Sequence, residues 1–260
     1  MATVMCVGLL WGQVSSDAIA EPLLVSPYRP LEIDRAFPMT TGSLQAELGY
    51  RFAQVRWDSL LDESTFHRVP FALRFQATDF FEARVGMELF AHGAKKNGVG
   101  DLSIGTKFLF LDQTEYAPAV GLVTSVELPV GIEPFGGDGT GISGRVLLSK
   151  TMLGSFDVDL NVGLQSKIGG NRSKPSLDLP IAVSGTLPIY GIVRVFAGIE
   201  ALIDLKTDGQ GPLVSSMVGV GIAATDSLVF DTAVEIGFTE SAPRIGFALG
   251  VTWNFGTLYD

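Results

Sequence analysis

From about Ser43 onward the chain alternates apolar and polar or small residues at every second position. Leu44, Ala46, Leu48, Tyr50 and Phe52 are interleaved with Gln45, Glu47, Gly49 and Arg51. A period of two places the first set on one face of a β-strand and the second on the other. The same pattern recurs at Val69–Gln76, Phe81–Leu89, Leu102–Phe110, Val120–Leu128, Ile142–Ser149 and Phe156–Gln165. It continues at Leu177–Ser184, Val193–Glu200, Val214–Ile222, Leu228–Ile236 and Ile245–Phe255. Twelve segments result, most about as long as a tilted strand that crosses a bilayer.

The connections have a rhythm of their own. Ala53–Thr65, Ala91–Val99, Gly131–Gly141, Lys167–Lys174 and Leu205–Gly211 are long. Between them fall short links at Ala77–Asp79, Leu153–Gly154, Pro188–Gly191 and Thr225–Asp226, with Asp112–Ala117 of middle length and a short stretch, Glu240–Pro243, before the last segment. Alternating long and short links, with an even strand number, predict an all-β fold: a transmembrane, antiparallel, up-and-down β-barrel of about twelve strands with both ends periplasmic. A soluble β-sandwich also alternates, but its outer faces are rich in Lys, Glu and Thr. Here the second face carries Gly, Ala, Ser and charges of both signs, which suits a confined, hydrated interior.

Composition narrows the reading further. Apolar residues make up 47 % of the 260 and mean hydropathy is +0.34, yet no run of eighteen uncharged apolar residues occurs, which argues against membrane helices. The formal net charge of −10 argues against a nucleic-acid partner. The 31 glycines suit turns and close strand packing. The single cysteine, Cys6, excludes an intrachain disulfide and a cysteine metal cluster. It lies in an apolar stretch, Val4–Trp11, followed by the small-x-small sequence Ala18-Ile19-Ala20, a pattern expected of a signal peptide over residues 1–20. No Lys or Arg precedes that stretch, as a start placed too late in the reading frame would produce. Residues 21–42, with Pro22, Pro27, Pro30 and Pro38, are expected to form a periplasmic segment or a plug. The barrel is expected over 43–255, with 256–260 as a tail.

The residues of greatest chemical interest are the inward charges. By parity these are Glu47, Arg51, Arg68, Arg74, Glu82, Arg84, Glu88, Asp101, Lys107, Arg145, Asp157, Asp159, Arg194, Glu200, Asp231 and Glu235. In a low-dielectric setting such groups must pair or stay hydrated. They fit a polar channel lining or a salt-bridged filling equally well, since a twelve-strand barrel is narrower than the wide porins.

The two histidines, His67 and His92, prompt a search for an enzyme. His67 stands near Ser64 and Glu63 and points outward, as a barrel hydrolase would place it, but no nucleophile-elbow sequence is present. His92 is assigned to a loop with Lys95 and Lys96. Gly98, Gly100 and Gly105 precede no helix and make no phosphate cradle. Gly136-Gly137-Asp138-Gly139 has too few acidic ligands for a calcium loop. No catalytic residue, metal site or cofactor is therefore expected. Phe80, Phe81, Phe90, Phe156, Phe230, Trp253 and Phe255 fall near strand ends, as interfacial aromatic girdles do.

Two stretches resemble a known family. Gly42-Ser43-Leu44-Gln45-Ala46-Glu47-Leu48-Gly49-Tyr50 is similar to the opening strand of the outer-membrane barrels of the MetA-pathway of phenol degradation family. Gly100-Asp101-Leu102-Ser103-Ile104-Gly105-Thr106-Lys107 is similar to that family's Gly-Asp followed by an alternating strand and a basic residue. The likeness in layout runs from about Ser43 to Phe255, and its motifs are short. It implies a bacterial outer-membrane channel for small solutes, hydrophobic or aromatic molecules among them. Its partners would be outer-membrane lipids, the barrel-assembly machinery and a small-molecule solute. The chain departs from the usual barrel ending, since Gly256–Asp260 follows Phe255. The alternative function is a closed structural or anchoring barrel that acts through its extracellular loops.

Overall fold

The computed structural model describes residues 33–55, 65–93, 96–170, 175–206 and 211–259. The expected signal peptide, Cys6 and residues 21–32 lie outside them, as do Ser64, Glu63 and Lys95.

The strands are β1 (Ser43–Val55), β2 (Thr65–Thr78), β3 (Phe81–Gly93), β4 (Lys96–Gly98), β5 (Leu102–Leu111), β6 (Ala119–Leu128) and β7 (Thr140–Met152). They continue as β8 (Phe156–Ile168), β9 (Asp178–Tyr190), β10 (Val193–Asp204), β11 (Leu213–Thr225), β12 (Leu228–Gly237) and β13 (Pro243–Thr257). Each of the twelve predicted segments is one of the longer strands. Consecutive long strands pair antiparallel, and β1 pairs with both β2 and β13, so the sheet closes on itself. The three-residue β4 only extends the far end of β3 as a hairpin. Closure pairs each of the twelve long strands on both sides, as hydrocarbon demands of any spanning sheet.

The alternation has its expected consequence, with the usual arrangement of a soluble protein inverted. Leu48, Val85, Ile104, Val146, Leu164, Val218, Phe247 and Trp253 are exposed on the outside. Gln45, Glu47, Gln76, Glu82, Asn161 and Thr252 are fully buried inside. An apolar belt of this extent is not sustainable in water but is required in lipid.

Most short links lie at one end and most long loops at the other; the exceptions are residues 112–118 at the short-link end and 238–242 at the long-loop end. The link between β7 and β8 is the three residues Leu153 to Ser155, a turn with Leu153 and Gly154 at its centre, φ of 49° and 80°, and Ser155 N–H donating to Met152 O at 3.2 Å. Positive φ at both central residues is the hairpin geometry that follows strand twist. Both the start of β1 and the end of β13 meet this short-turn end. Trp253 and Phe255 stack there at 4.9 Å. Phe80 and Phe81 lie at the same end, whereas Phe90 lies toward the long loops. The tail turns back across the seam. Leu258 N–H donates to Gly42 O at 2.8 Å, and the Tyr259 ring lies 6.2 Å from Phe75.

One irregularity interrupts the alternation of β3. Val69 pairs with Phe90, but Pro70 pairs with Glu88, leaving Leu89 as a bulge in β3. Pro70 has no N–H to offer the ladder, so a bulge here costs little pairing. Beyond it the parity of β3 is shifted by one residue. His92, assigned to a loop from the sequence, is in fact in β3, where it pairs with His67 of β2 on one side and Asn97 of β4 on the other.

Candidate functional site in the barrel interior

Strand parity directs the predicted charges inward, and register decides which of them meet. The most densely connected group centres on Glu82. Arg74 grips its carboxylate with Nε at 2.9 Å and Nη2 at 3.0 Å, Arg84 Nη2 lies at 2.6 Å and Lys107 Nζ at 3.2 Å. Arg74 Nη1 also reaches Glu47 at 3.1 Å, and Gln45 donates to Glu47 at 2.9 Å. The remaining carboxylate comes from outside the strands. Asp34 accepts Arg84 Nη1 with both oxygens at 3.0 Å. Three cations thus face three carboxylates, and Asp34 supplies the charge that brings the group to neutrality. Ion pairs this deeply buried persist only when so fully matched.

Residues 33–39 therefore lie inside the barrel, against β2, β3 and β5 to β8. Asp34 N–H donates to Asn161 Oδ1 at 2.9 Å, and Asn161 Nδ2 returns a bond to Asp34 O at 2.8 Å. Ala36 N–H donates to Ser149 Oγ at 2.7 Å, and Met39 N–H to Gln76 at 3.2 Å. Lys107 donates to Arg35 O and Phe37 O at 3.3 and 3.0 Å. Arg35 pairs with Asp157 at 2.7 Å and approaches Asp159 at 3.8 Å. Ala36 packs with Ala119, Val123 and Leu147, all fully or nearly fully buried. Gly121 faces Ala36, and a Cβ there would be crowded by the neighbouring strand, at 2.9 Å from Phe108 O, while standing at ordinary contact distance, 3.5 Å, from Ala36 Cα.

Toward the long loops the interior changes character. Asp101 accepts the N–H groups of Gly131 and Gly137 at 3.0 and 2.7 Å and lies 3.3 Å from Lys167, so it ties the β6–β7 loop to the wall. Arg68 pairs with Glu88 at 2.9 Å and Arg51 with Glu235 at 3.3 Å. Lys167 also lines a polar cavity of about 400 Å³, together with Ser103, Ser125, Glu127, Arg145 and Asp178 among others.

Of the sixteen residues predicted by parity, Glu47, Arg74, Glu82, Arg84 and Lys107 share one network. Asp157 and Asp159 hold the inserted segment. Arg51 with Glu235, and Arg68 with Glu88, form separate pairs. Asp101 anchors a loop and Arg145 faces the cavity. Arg194 on β10 lies within electrostatic reach of Arg35 and Asp157. Ser215 donates to Glu200 at 3.2 Å, and Asp231 is buried on the inward face of β12. Sequence reasoning missed Asp34 and Arg35, which precede the first strand and carry no parity signal. It also missed Glu127, Lys167 and Asp178 as cavity residues, although all three share the inward phase of their strands. Phe196 was passed over in the same way. It is inward and buried with Met217, Ala233 and Ala248, and it shares the phase of Arg194 and Gly198.

A closed twelve-strand barrel with a lipid-facing exterior and a charged interior defines an outer-membrane β-barrel. The chain matches the family described as putative MetA-pathway of phenol degradation over residues 29–255, and it belongs to that family. Its fold is similar to that of an outer membrane channel from Pseudomonas putida F1, with a TM-score of 0.68 at 13 % identity, covering 89 % of this chain and all of that one. It is also similar to the NanC porin, with a TM-score of 0.57 at 9 % identity over 81 % of this chain and 98 % of that one. The KdgM porin in complex with disordered oligogalacturonate gives a TM-score of 0.55 at 9 % identity, over 81 % and 99 %.

Proposed function

We propose that the protein is a non-enzymatic outer-membrane channel for small solutes, with residues 33–39 as an internal plug and the sixteen inward charges as its pore lining. The observation that carries this reading is the origin of Asp34. A segment outside the strands completes the charge balance of a network built into the wall. Withdrawing that segment leaves three cations facing two carboxylates, a polar surface suited to contact with water rather than to dry packing. The cavity at the long-loop end gives a solute a hydrated place to enter. The family resemblance suggests hydrophobic or aromatic solutes, and the inward strip of Phe196, Met217, Ala233 and Ala248 supplies an apolar surface opposite the charged wall. The lipid belt makes outer-membrane lipids a partner, and the barrel-assembly machinery would insert the chain.

Planar-bilayer recording tests the proposal. The full chain should show small or infrequent openings, and a chain lacking residues 33–39 should conduct steadily. A tight seal from both would remove it. The matched charges of the Glu82 network favour a second reading, a closed anchoring barrel. That reading predicts no conductance from either chain and loss of function on loop deletion alone.

A further inference from the structure

The chain has only two histidines, and the fold makes them cross-strand partners. His67 of β2 and His92 of β3 are in direct register, with ring centroids 5.8 Å apart. Strict alternation along β3 would have turned His92 inward. The bulge at Leu89 puts it on the outer face instead, beside His67, Tyr50 and Phe52. Re-aiming a side chain is a recurrent use of a bulge.

Each ring is held at one nitrogen by a neighbouring oxygen. His67 Nδ1 lies 2.7 Å from the Tyr50 hydroxyl, and His92 Nδ1 lies 2.6 Å from Asn97 Oδ1 on β4. Asn97 Oδ1 can only accept, so in the neutral ring the His92 proton sits on Nδ1 and the Nε2 lone pair is available to an ion. The Tyr50 oxygen can accept as well as donate, so His67 can adopt the same tautomer. Metal-binding histidines have this arrangement: one ring nitrogen donates to a fixed oxygen and the other binds the ion. Phe52, 5.3 Å from His67, restricts that ring further. The pair lies near the ends of β2 and β3 at the long-loop rim, where water is available for the remaining coordination positions.

We propose that His67 and His92 form an exchangeable site for a divalent transition-metal ion of the copper, zinc or nickel class, bound through both Nε2 atoms on the outer face of the barrel. Imidazole nitrogens suit these ions. With metal–nitrogen bonds of about 2.0–2.1 Å, a tetrahedral ion bridging two Nε2 atoms sets the ring centroids roughly 5 Å apart. The observed 5.8 Å closes to that by a small rotation about the side-chain bonds. Two protein ligands completed by water make a site that loads and unloads, unlike a closed structural centre. The proposal is independent of solute transport.

The test is titration of Cu²⁺ into the untagged full chain folded in detergent micelles, followed by electron paramagnetic resonance. The expected result is one ion per chain with two imidazole nitrogens in its coordination plane. His67→Gln and His92→Gln should each lose one nitrogen and bind about tenfold or more weakly. Tyr50→Phe should keep both nitrogens and bind roughly tenfold more weakly, the effect of losing the oxygen that orients a ligand. A one-nitrogen spectrum in the unaltered chain, or two nitrogens in either His variant, overturns the proposal. Should the His variants fail to fold, protection of the unaltered chain decides it. Bound Cu²⁺ should shield both imidazoles from carbethoxylation, and modification at an unchanged rate refutes the site.

Discussion

Replacing Asp34 with Asn removes one charge from the Glu82 network and leaves the shape of the inserted segment intact. Asp34 is almost fully buried and takes Arg84 Nη1 on both oxygens at 3.0 Å. The amide keeps one acceptor oxygen but loses the charge, so the network changes from neutral to one excess cation. Arg84 still holds Glu82 at 2.6 Å, so its guanidinium is weakened in its contacts and not stranded. The loss is therefore that of one charge-assisted bond, about 1.5–3 kcal/mol, and not the larger penalty for an isolated buried charge. The cost falls on the inserted state alone, because Asp34 would be hydrated once the segment withdraws. At about 1.4 kcal/mol per factor of ten, the ratio of withdrawn to inserted segment rises roughly 10- to 150-fold. The assay is single-channel recording of open probability, with heat-modifiable gel mobility as proof of folding. A folded Asp34→Asn barrel whose open probability stays within about twofold of the unaltered chain would refute the idea that Asp34 holds the lumen shut.

Other consequences are checked by unfolding in micelles or vesicles. Glu82→Gln leaves Arg74, Arg84 and Lys107 facing one another without their shared carboxylate and should cost about 3–5 kcal/mol in urea, whereas an unchanged midpoint would contradict the network. Val146→Arg, at the middle of β7 on the lipid face, should cost about 2–4 kcal/mol, and a neutral effect would deny that this face meets lipid. Gly154, at φ of 80° with open space where a Cβ would stand, should lose about 1–2 kcal/mol on change to Val purely from backbone strain. Asp101→Ala removes the acceptor of Gly131 and Gly137 and should expose the β6–β7 loop to protease, while an equally resistant loop would show that Asp101 is not its anchor.

The barrel was legible because lipid outside and charge inside impose one period on every strand, and that period survives in all twelve segments. Leu153-Gly154 was legible as a turn for a local reason, a glycine where the chain must adopt positive φ. The inward direction of Glu82 and Arg74 followed from parity, but their contact did not, because register across strands is set by the turns and bulges between them. The bulge at Leu89 hid the pairing of His67 with His92. It leaves no mark except Pro70 on the neighbouring strand. Asp34 and Arg35 were hidden for another reason. An irregular segment that satisfies its backbone on Asn161, Ser149 and Gln76 has no periodicity to read.

The central claim is a lipid-facing outside, a hydrated inside and a segment that fills part of the lumen. One strand tests all three: spin labels placed singly along β7, in a background without Cys6 and in lipid vesicles. Labels at Ile142, Val146 and Leu148 should meet oxygen dissolved in the lipid. Those at Ser143 and Arg145 should meet a water-soluble nickel chelate. A label at Leu147, fully buried against Ala36, should meet neither until residues 33–39 are removed, and then the chelate. Uniform accessibility along the strand, or no change at Leu147 on removal of the segment, would contradict the account.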